Sequence, residues 1–355
     1  MIDKTLQILQ RVYGSDFPDL GDLVYLLSLD DEGSKRQLYR FADDVRRKYC
    51  GDGILLRGIV EFSSYCRNTC RYCGLQKNNT TLQRYRLTAQ QVLDAVDKIY
   101  GAGIRTVVLQ SGEDEQMDPQ WLADIVAQIR KRYNSEMAVT LSAGEWDRAV
   151  YKLWKDAGAD RYLLKIETSD SDFYAKFHPG MSFENRVRCL VDLAELGYQV
   201  GSGSLVGLAG QTMEILAKDI QFFKKHNFDM LGIGLFIPHG QTDLKDSRRG
   251  DLETTIKMLA VTRIVMKDTH LPATTATGSI SEYDHRIDAM AAGGNVIMPN
   301  FTPDDYKELY EIYPNKRCVK EKNFDPVKPI VAMAEKLGRY VELSRGDSLK
   351  CRNIR

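Results

Sequence analysis

The sequence "RGIVEFSSYCRNTCRYCGLQ" (residues 57–76) joins a short apolar run to a loop that contains three of the seven cysteines in the chain. Cys66, Cys70 and Cys73 follow a C-x3-C-x2-C spacing. Thiolates are soft ligands that suit zinc or an iron–sulfur cluster. A structural zinc site takes four ligands, and the next cysteine is the distant Cys189, although folding could bring a fourth ligand close. A 4Fe–4S cluster with three thiolates keeps one iron open, which favours the cluster without excluding zinc.

The region after residue 57 alternates short apolar runs with longer amphipathic stretches, which predicts strands that are each followed by a helix. Eight such pairs over roughly 240 residues match the size of a (β/α)8 barrel. A doubly wound open sheet would give a similar pattern, and both architectures carry their site at the carboxyl ends of the strands. The number of pairs favours the barrel. The sequence therefore predicts an α/β protein with a complete (β/α)8 TIM-type barrel.

We expect three segments within a single structural domain, because no low-complexity linker interrupts the chain. Residues 1–50 have apolar positions three and four apart, which predicts an N-terminal helical extension. Residues 51–302 carry the strand–helix pairs and are assigned to the barrel. Residues 303–355 are expected to form a short C-terminal helical cap and a tail.

The overall composition excludes several classes of partner. The 49 basic and 49 acidic residues balance, so no net charge indicates a nucleic-acid or membrane partner. No apolar run approaches the length of a membrane span, and the first residues lack the apolar stretch of a signal peptide. The other four cysteines are scattered, unlike a disulfide framework. These features predict a cytoplasmic protein.

Two further groups of polar residues follow predicted strands. The turn "SGED" (residues 111–114) offers carboxylates that can accept a hydrogen bond from an ammonium group, beside a glycine that permits close approach of the backbone. Glu167 ends the run "RYLLKIE", and Arg186 lies in the following helical stretch. From residue type alone, a polar turn and a surface ion pair are the alternatives to a binding site.

The cysteine loop, with Tyr72 before its last cysteine and a strand before the loop, resembles the radical S-adenosylmethionine (SAM) superfamily. The resemblance implies a 4Fe–4S cluster on Cys66, Cys70 and Cys73, with SAM bound to the open iron and cleaved to methionine and a 5′-deoxyadenosyl radical. "SGED" resembles the glycine–glycine–glutamate motif of that superfamily, with serine in place of the first glycine. The residues that the resemblance implies as SAM contacts are Tyr72, Ser111, Gly112, Glu113, Asp114, Glu167, Arg186 and Ile237.

Longer stretches, among them "GADRYLLKIET", "LPATTATGSI" and "NVIMPNFTP", resemble the HydE family of FeFe hydrogenase maturases from about residue 36 to about residue 336. That resemblance implies a polar cavity inside the barrel and a role in assembling the di-iron subcluster of the hydrogenase. The expected substrate is an iron–cysteine carbonyl cyanide complex delivered by another hydrogenase maturase, and the expected electron donor is a ferredoxin or a flavodoxin. The implied substrate contacts are Arg161, Lys165, Thr274, Met298 and Tyr310.

Two departures from the family pattern are visible. Lys165 stands where the family often has arginine, which weakens the case for bidentate recognition of an anion there. Arg161 and Lys165 have the same strand parity, so both are expected to face the cavity, with an exterior ion pair as the alternative. Some family members bind a second cluster through three cysteines near the C-terminus, where this chain keeps only Cys318. We therefore expect one cluster and interpret Cys318 as structural.

Three other functions remain open at this point. A related radical SAM mutase, similar to methylornithine synthase, would convert a free amino acid without any iron complex. A non-catalytic scaffold would bind an iron complex and never cleave SAM. A zinc-stabilised barrel would contain one tightly bound metal ion and ignore SAM.

Overall fold

The computed structural model of the chain describes residues 3–317 and 325–350. The helices are α1 (Lys4–Gly14), α2 (Leu20–Leu27), α3 (Glu32–Cys50), α4 (Ala89–Gly101), α5 (Pro119–Tyr133), α6 (Arg148–Asp156), α7 (Ser171–Phe177), α8 (Phe183–Glu195), α9 (Met213–His226), α10 (Leu252–Met266), α11 (Thr275–Gly278), α12 (Arg286–Ala291), α13 (Asp304–Lys307) and α14 (Lys328–Lys336). In this part of the chain, no helix is long and apolar enough to cross a membrane.

The strands are β1 (Gly53–Leu56), β2 (Gly58–Ser63), β3 (Thr106–Ser111), β4 (Ala138–Ser142), β5 (Arg161–Leu163), β6 (Gln199–Ser202), β7 (Leu205–Val206), β8 (Met230–Leu231), β9 (Gly234–Leu235), β10 (Val296–Ile297) and β11 (Tyr340–Glu342). Six of them form a parallel sheet in the order β2-β3-β4-β5-β6-β8. Helices separate these strands along the chain, so the predicted α/β alternation with a parallel sheet is confirmed.

Single parallel bridges, rather than ladders, continue from the two edges of this sheet. Met230 in β8 pairs with His270, and Pro272 pairs with Val296 in β10. At the other edge, Ile59 in β2 pairs with Asn300. The stretch "LPATTAT" (residues 271–277) therefore contributes one bridge residue and then enters α11.

The three N-terminal helices begin with aspartate caps. The side chains of Asp3, Asp19 and Asp31 each accept a hydrogen bond from a backbone N–H in the first turn of α1, α2 and α3. Such a cap stabilises a helix by about 1 kcal/mol. Helix α3 packs on α10, and α2 packs on α9. Because neighbours cover α10 on every side, residues 255–266 are all buried, and its sequence lacks a polar face.

The C-terminal part of the chain differs from expectation. Helices α13 and α14 occur in the predicted helical segment, but β11 follows them and pairs in parallel with β1, which lies just before the first predicted strand. The segment after β11 reaches the amino-terminal end of the sheet. There Gly346 accepts a hydrogen bond from Arg57 at 3.1 Å, and the Arg345 carbonyl accepts one from Arg161 at 2.7 Å.

Gly203 divides the stretch "QVGSGSLVG" (residues 199–207) into β6 and β7. Its φ of +152° lies in a region that side chains rarely adopt, and a Cβ there would overlap the backbone of Gly232. The Gly203 carbonyl accepts a hydrogen bond from the backbone N–H of Glu167 at 2.9 Å. A residue without a side chain is thus needed where two strand ends and the Glu167 backbone meet.

Gly203→Ala is expected to lower the free energy of unfolding by about 1–3 kcal/mol, because the added methyl group meets rigid backbone. Gly101→Ala is the matched control, since nothing lies within 4 Å of a Cβ at the end of α4. The control should be neutral or stabilising by up to about 1 kcal/mol. Guanidinium unfolding measures both values, and equal stability of the two variants would contradict the proposed backbone clash.

Candidate cofactor and substrate site

The cysteine loop leaves the carboxyl end of β2 without regular secondary structure, so its backbone polar groups need other partners. The guanidinium of Arg84 donates hydrogen bonds to the carbonyls of Ser64, Leu75 and Gln76 at 2.5–2.7 Å. The Gly74 N–H donates to the Ile312 carbonyl at 2.8 Å. These bonds fix both ends of the loop at the carboxyl end of the sheet.

The three thiols of the cysteine loop are largely shielded from solvent. Burial raises the pKa of the Cys66 and Cys70 thiols, and it raises the pKa of Cys73 to about 12. Within residues 3–317 and 325–350, no three His, Cys, Asp or Glu side chains converge on one point as a zinc ion would require. A cubic cluster takes one thiolate per iron, so its sulfur ligands stay apart. Three soft thiolates from one loop are a donor set that fits three irons of such a cluster.

The "SGED" turn lies directly against the cysteine loop. The Gly112 N–H donates to the Ser63 carbonyl at 3.2 Å. A Cβ on Gly112 would overlap the Tyr65 carbonyl oxygen and would lie 2.8 Å from the Cβ of Cys66. The Ser111 hydroxyl donates to the Gly112 carbonyl at 2.7 Å, so the serine holds the turn that the family makes with a glycine. The two loops are thus in direct contact.

Glu113 and Arg186 lie together in a buried group of charges. Arg186 pairs with Glu145 at 2.5 Å and approaches Glu113 at 3.6 Å, while Arg67 pairs with Glu113 at 3.3 Å. The Arg186 side chain is 9% exposed, so the alternative of a surface ion pair is wrong for this residue. Sequence reasoning missed Glu145 and Arg67, although Glu145 follows β4 as Glu113 follows β3.

Asp114, expected as a SAM contact, is engaged elsewhere. Its carboxylate accepts two hydrogen bonds from Arg86 at 2.6 and 2.8 Å and one from the Ser63 hydroxyl at 2.8 Å. Its residue is 2% exposed. Asp114 thus ties the "SGED" turn to β2 and to the segment before α4, and its contact with SAM stays a prediction.

Tyr72 is oriented by a buried histidine. The Nδ1 of His178 lies 2.9 Å from the Tyr174 carbonyl, which can only accept, so Nδ1 carries the proton. Burial lowers the pKa of His178 to about 3, so the ring is neutral and its Nε2 accepts from the Tyr72 hydroxyl at 2.9 Å. This bond holds the Tyr72 side chain between the cysteine loop and α7.

Glu167 adopts a left-handed backbone conformation with φ +63°, which is uncommon outside glycine. Hydrogen bonds from the Glu167 N–H to Gly203 and from the Leu205 N–H to Glu167, at 2.9 and 3.0 Å, hold this conformation. The Glu167 carboxylate pairs with Lys165 at 2.8 Å. Backbone strain of this kind costs about 1–3 kcal/mol and is concentrated at functional sites.

A cavity of about 290 Å³ opens beside this group of residues. Six of the residues expected from the sequence line it: Tyr72, Lys165, Glu167, Ile237, Thr274 and Met298. Eight polar residues that sequence reasoning missed also line it: Glu61, Gln110, Thr275, Arg286, Asn300, Tyr313, Lys316 and Arg317. The cavity thus contains charges of both signs among apolar walls.

Arg161 does not line this cavity, and its expected position is wrong. It is buried at the amino-terminal end of β5, where it pairs with Asp347 at 2.7 Å and donates to Thr106 at 3.0 Å. Four residues of extended chain span about 13 Å, so equal parity leaves Arg161 and Lys165 at different depths of the sheet. An exterior ion pair is equally wrong, since Arg161 is 3% exposed.

Tyr310 is not among the residues that line the cavity, but it contacts one that does. Its hydroxyl accepts a hydrogen bond at 3.2 Å from Gln110, which lines the cavity. Lys316 lies 5.3 Å from the centre of the Tyr310 ring and pairs with Glu61, a carboxylate that is 1% exposed in β2. The sequence feature that could have indicated Glu61 is that it is a single carboxylate within the apolar run "RGIVEF". The partner of Glu61, Lys316, lies 255 residues further along the chain.

Cys318, which the sequence analysis interprets as structural, lies outside the described residues.

Comparisons with known proteins agree with this geometry. The Radical SAM superfamily pattern matches residues 60–223. The chain is 48% identical over 313 residues to the FeFe hydrogenase maturase subunit HydE of Thermotoga maritima, covering 88% of this chain and 89% of that protein. It is 28% identical over 319 residues to 3-methylornithine synthase of Methanosarcina acetivorans, covering 89% and 88%. The crystal structure of methylornithine synthase (PylB) aligns with a TM-score of 0.81 at 26% identity, covering 94% of this chain and 97% of that one.

The α/β fold, the cysteine loop and the superfamily match define the class as a radical SAM enzyme. A 4Fe–4S cluster and SAM are the cofactors that this class implies. Within it, the chain belongs to the HydE family of FeFe hydrogenase maturases, because nearly half of the residues are identical over most of both chains.

Arg186→Gln is expected to lower the free energy of unfolding by about 3–5 kcal/mol, because it leaves the Glu145 and Glu113 carboxylates buried without their cation. Arg188→Gln is the matched control on α8: its side chain is 41% exposed and pairs with Asp192. The control should cost less than about 1 kcal/mol. Guanidinium unfolding compares the two, and similar losses would contradict the buried charge group.

Proposed function

We propose that Cys66, Cys70 and Cys73 hold one 4Fe–4S cluster whose fourth iron binds SAM. The single observation that carries the proposal is a C-x3-C-x2-C loop, held by Arg84 at the carboxyl end of the sheet, whose Tyr72 lines a cavity. The bound cofactors supply reductive cleavage of SAM to methionine and a 5′-deoxyadenosyl radical. The protein contributes ligation, orientation and exclusion of water.

The residues around the loop suit the polar groups of SAM. Glu113 presents a carboxylate that can accept from the amino group, and Gly112 lets the backbone come close. Arg186, held in place by Glu145, presents a rigid guanidinium for a carboxylate. Glu167 offers an acceptor for ribose hydroxyls, and Ile237 lines the cavity as an apolar contact for the adenine.

We also infer that the barrel is complete. The bridges between Met230 and His270, Pro272 and Val296, and Ile59 and Asn300 support closure of the parallel sheet through segments 270–272 and 296–300. Closure would enclose the cavity and limit the access of water to a radical. The division into residues 1–50, 51–302 and 303–355 stays part of this proposal.

The substrate that the cavity favours is small and charged. Lys165 and Lys316 face it with Glu167 and Glu61 as their partners, so an anionic group could exchange with a carboxylate for either ammonium. An iron–cysteine carbonyl cyanide complex, as a precursor of the di-iron subcluster, carries anionic cyanide and carboxylate groups. Thr274 and Met298 add a hydroxyl and a soft thioether to the same cavity. The 48% identity to HydE supports this substrate class.

The proposed partners follow from the same reaction. Another hydrogenase maturase would deliver the iron complex, and a ferredoxin or flavodoxin would supply the electron. The free thiols of the described cysteines support a reducing, cytoplasmic environment.

The test is activation of an FeFe hydrogenase that lacks its di-iron subcluster, by this protein together with the other maturases. Wild-type protein should restore hydrogen production, and Cys66→Ala should lower it by more than about 100-fold, since even outer residues around a metal site matter 10- to 100-fold. Cys50→Ala is the control, because Cys50 contacts Arg263 and Lys267 at the end of α3. Conversion of a free amino acid without hydrogenase activation would contradict the proposal and assign a mutase.

A further inference from the structure

The segment that surrounds the cysteines is strongly basic. Residues 64–86 contain five arginines and lysines and no acidic residue, whereas the whole chain has 49 of each sign. Arg84 is used inside the loop as a clamp on backbone carbonyls. Arg71 faces the exposed Asp243 at 3.6 Å. The other three cations of this segment are Arg67, Lys77 and Arg86.

Contacts link the segments that carry these three cations. The Lys77 N–H donates to the Asn68 carbonyl at 2.7 Å, which puts Lys77 beside Arg67. Arg67 and Arg86 pair with consecutive residues of the "SGED" turn, Glu113 and Asp114. Both acids are buried, at 8% and 2% exposure, whereas the Arg67 and Arg86 side chains are 46% and 37% exposed and Lys77 is exposed. Solvent therefore meets the cations, and the carboxylates lie behind them.

An exposed aromatic residue lies against one of these cations. Tyr65 is 36% exposed, and the Arg86 guanidinium lies over its ring at 3.8 Å from the centroid. Tyrosine and arginine are the residue types that most often dominate binding energy at protein interfaces. Tyr65 is bonded directly to Cys66, so this residue is also a short route from solvent to a cluster ligand. Tyr65, Arg67, Lys77 and Arg86 are named the basic surface below.

We propose that the basic surface docks a small acidic one-electron carrier protein, an inference that rests on the proposed function. One electron leaves the reduced carrier and reduces the cluster, the carrier is oxidised by one electron, and no bond is made or broken. Complementary charge steers such an encounter and speeds association. None of the four residues of the basic surface lines the cavity, so docking there leaves the cavity free.

The test uses the reconstituted full-length protein and a bacterial flavodoxin as the acidic carrier. Lys77→Glu should weaken flavodoxin binding about three- to tenfold at low salt, and the difference should shrink at high salt, because screening removes exposed charge interactions. Lys131→Glu is the matched control, an exposed lysine in the last turn of α5, at the opposite end of the sheet from the cysteine loop. Biolayer interferometry gives the dissociation constants.

A second readout separates docking from chemistry. Flavodoxin-driven formation of 5′-deoxyadenosine should fall in Lys77→Glu, whereas dithionite-driven formation should equal that of the wild type. Equal flavodoxin affinity of Lys77→Glu and Lys131→Glu would overturn the docking proposal. Absence of dithionite-driven SAM cleavage in the wild type would instead overturn the proposed function, and the binding comparison would still decide the docking site.

Discussion

The hydrogen bonds from Arg84 to backbone carbonyls are the constraint on which the site depends. An irregular loop must satisfy its carbonyls before it can hold thiols in fixed positions, and one guanidinium serves Ser64, Leu75, Gln76 and Asn79. Gly112 then allows the next loop to touch the first. The backbone hydrogen bonds therefore fix the loop that presents the three cysteines, and such support by neighbouring groups is what a preorganised site requires.

Buried ion pairs are the second feature that determines the arrangement of the site. Arg186 with Glu145, Lys165 with Glu167 and Lys316 with Glu61 are paired beside or within the cavity. Buried ion pairs contribute little net stability, because desolvation offsets their attraction. Their presence here, together with the strained backbone of Glu167, is consistent with a site arranged for binding charged molecules at some cost to folding.

The sequence was sufficient to predict local features and the alternation of strands with helices. The strand–helix alternation, the loop after β2 and the "SGED" turn after β3 all depend on short-range patterns. Arg161 was misplaced because parity gives the face of a strand and not the depth along it. The partners of Asp114 and Glu61 lie 28 and 255 residues away, so no periodicity could reveal them. The division of strands at Gly203 likewise depends on its contact with Gly232.

The most direct test of the account is electron paramagnetic resonance of the anaerobically reconstituted, reduced protein before and after addition of SAM. The account predicts one reduced 4Fe–4S signal per chain that shifts when SAM is added, because SAM occupies the iron that lacks a cysteine. The signal should be lost in Cys66→Ala and kept in Cys50→Ala. A protein that binds one zinc ion, or a cluster signal indifferent to SAM, would contradict the open iron and the role of the three-cysteine loop.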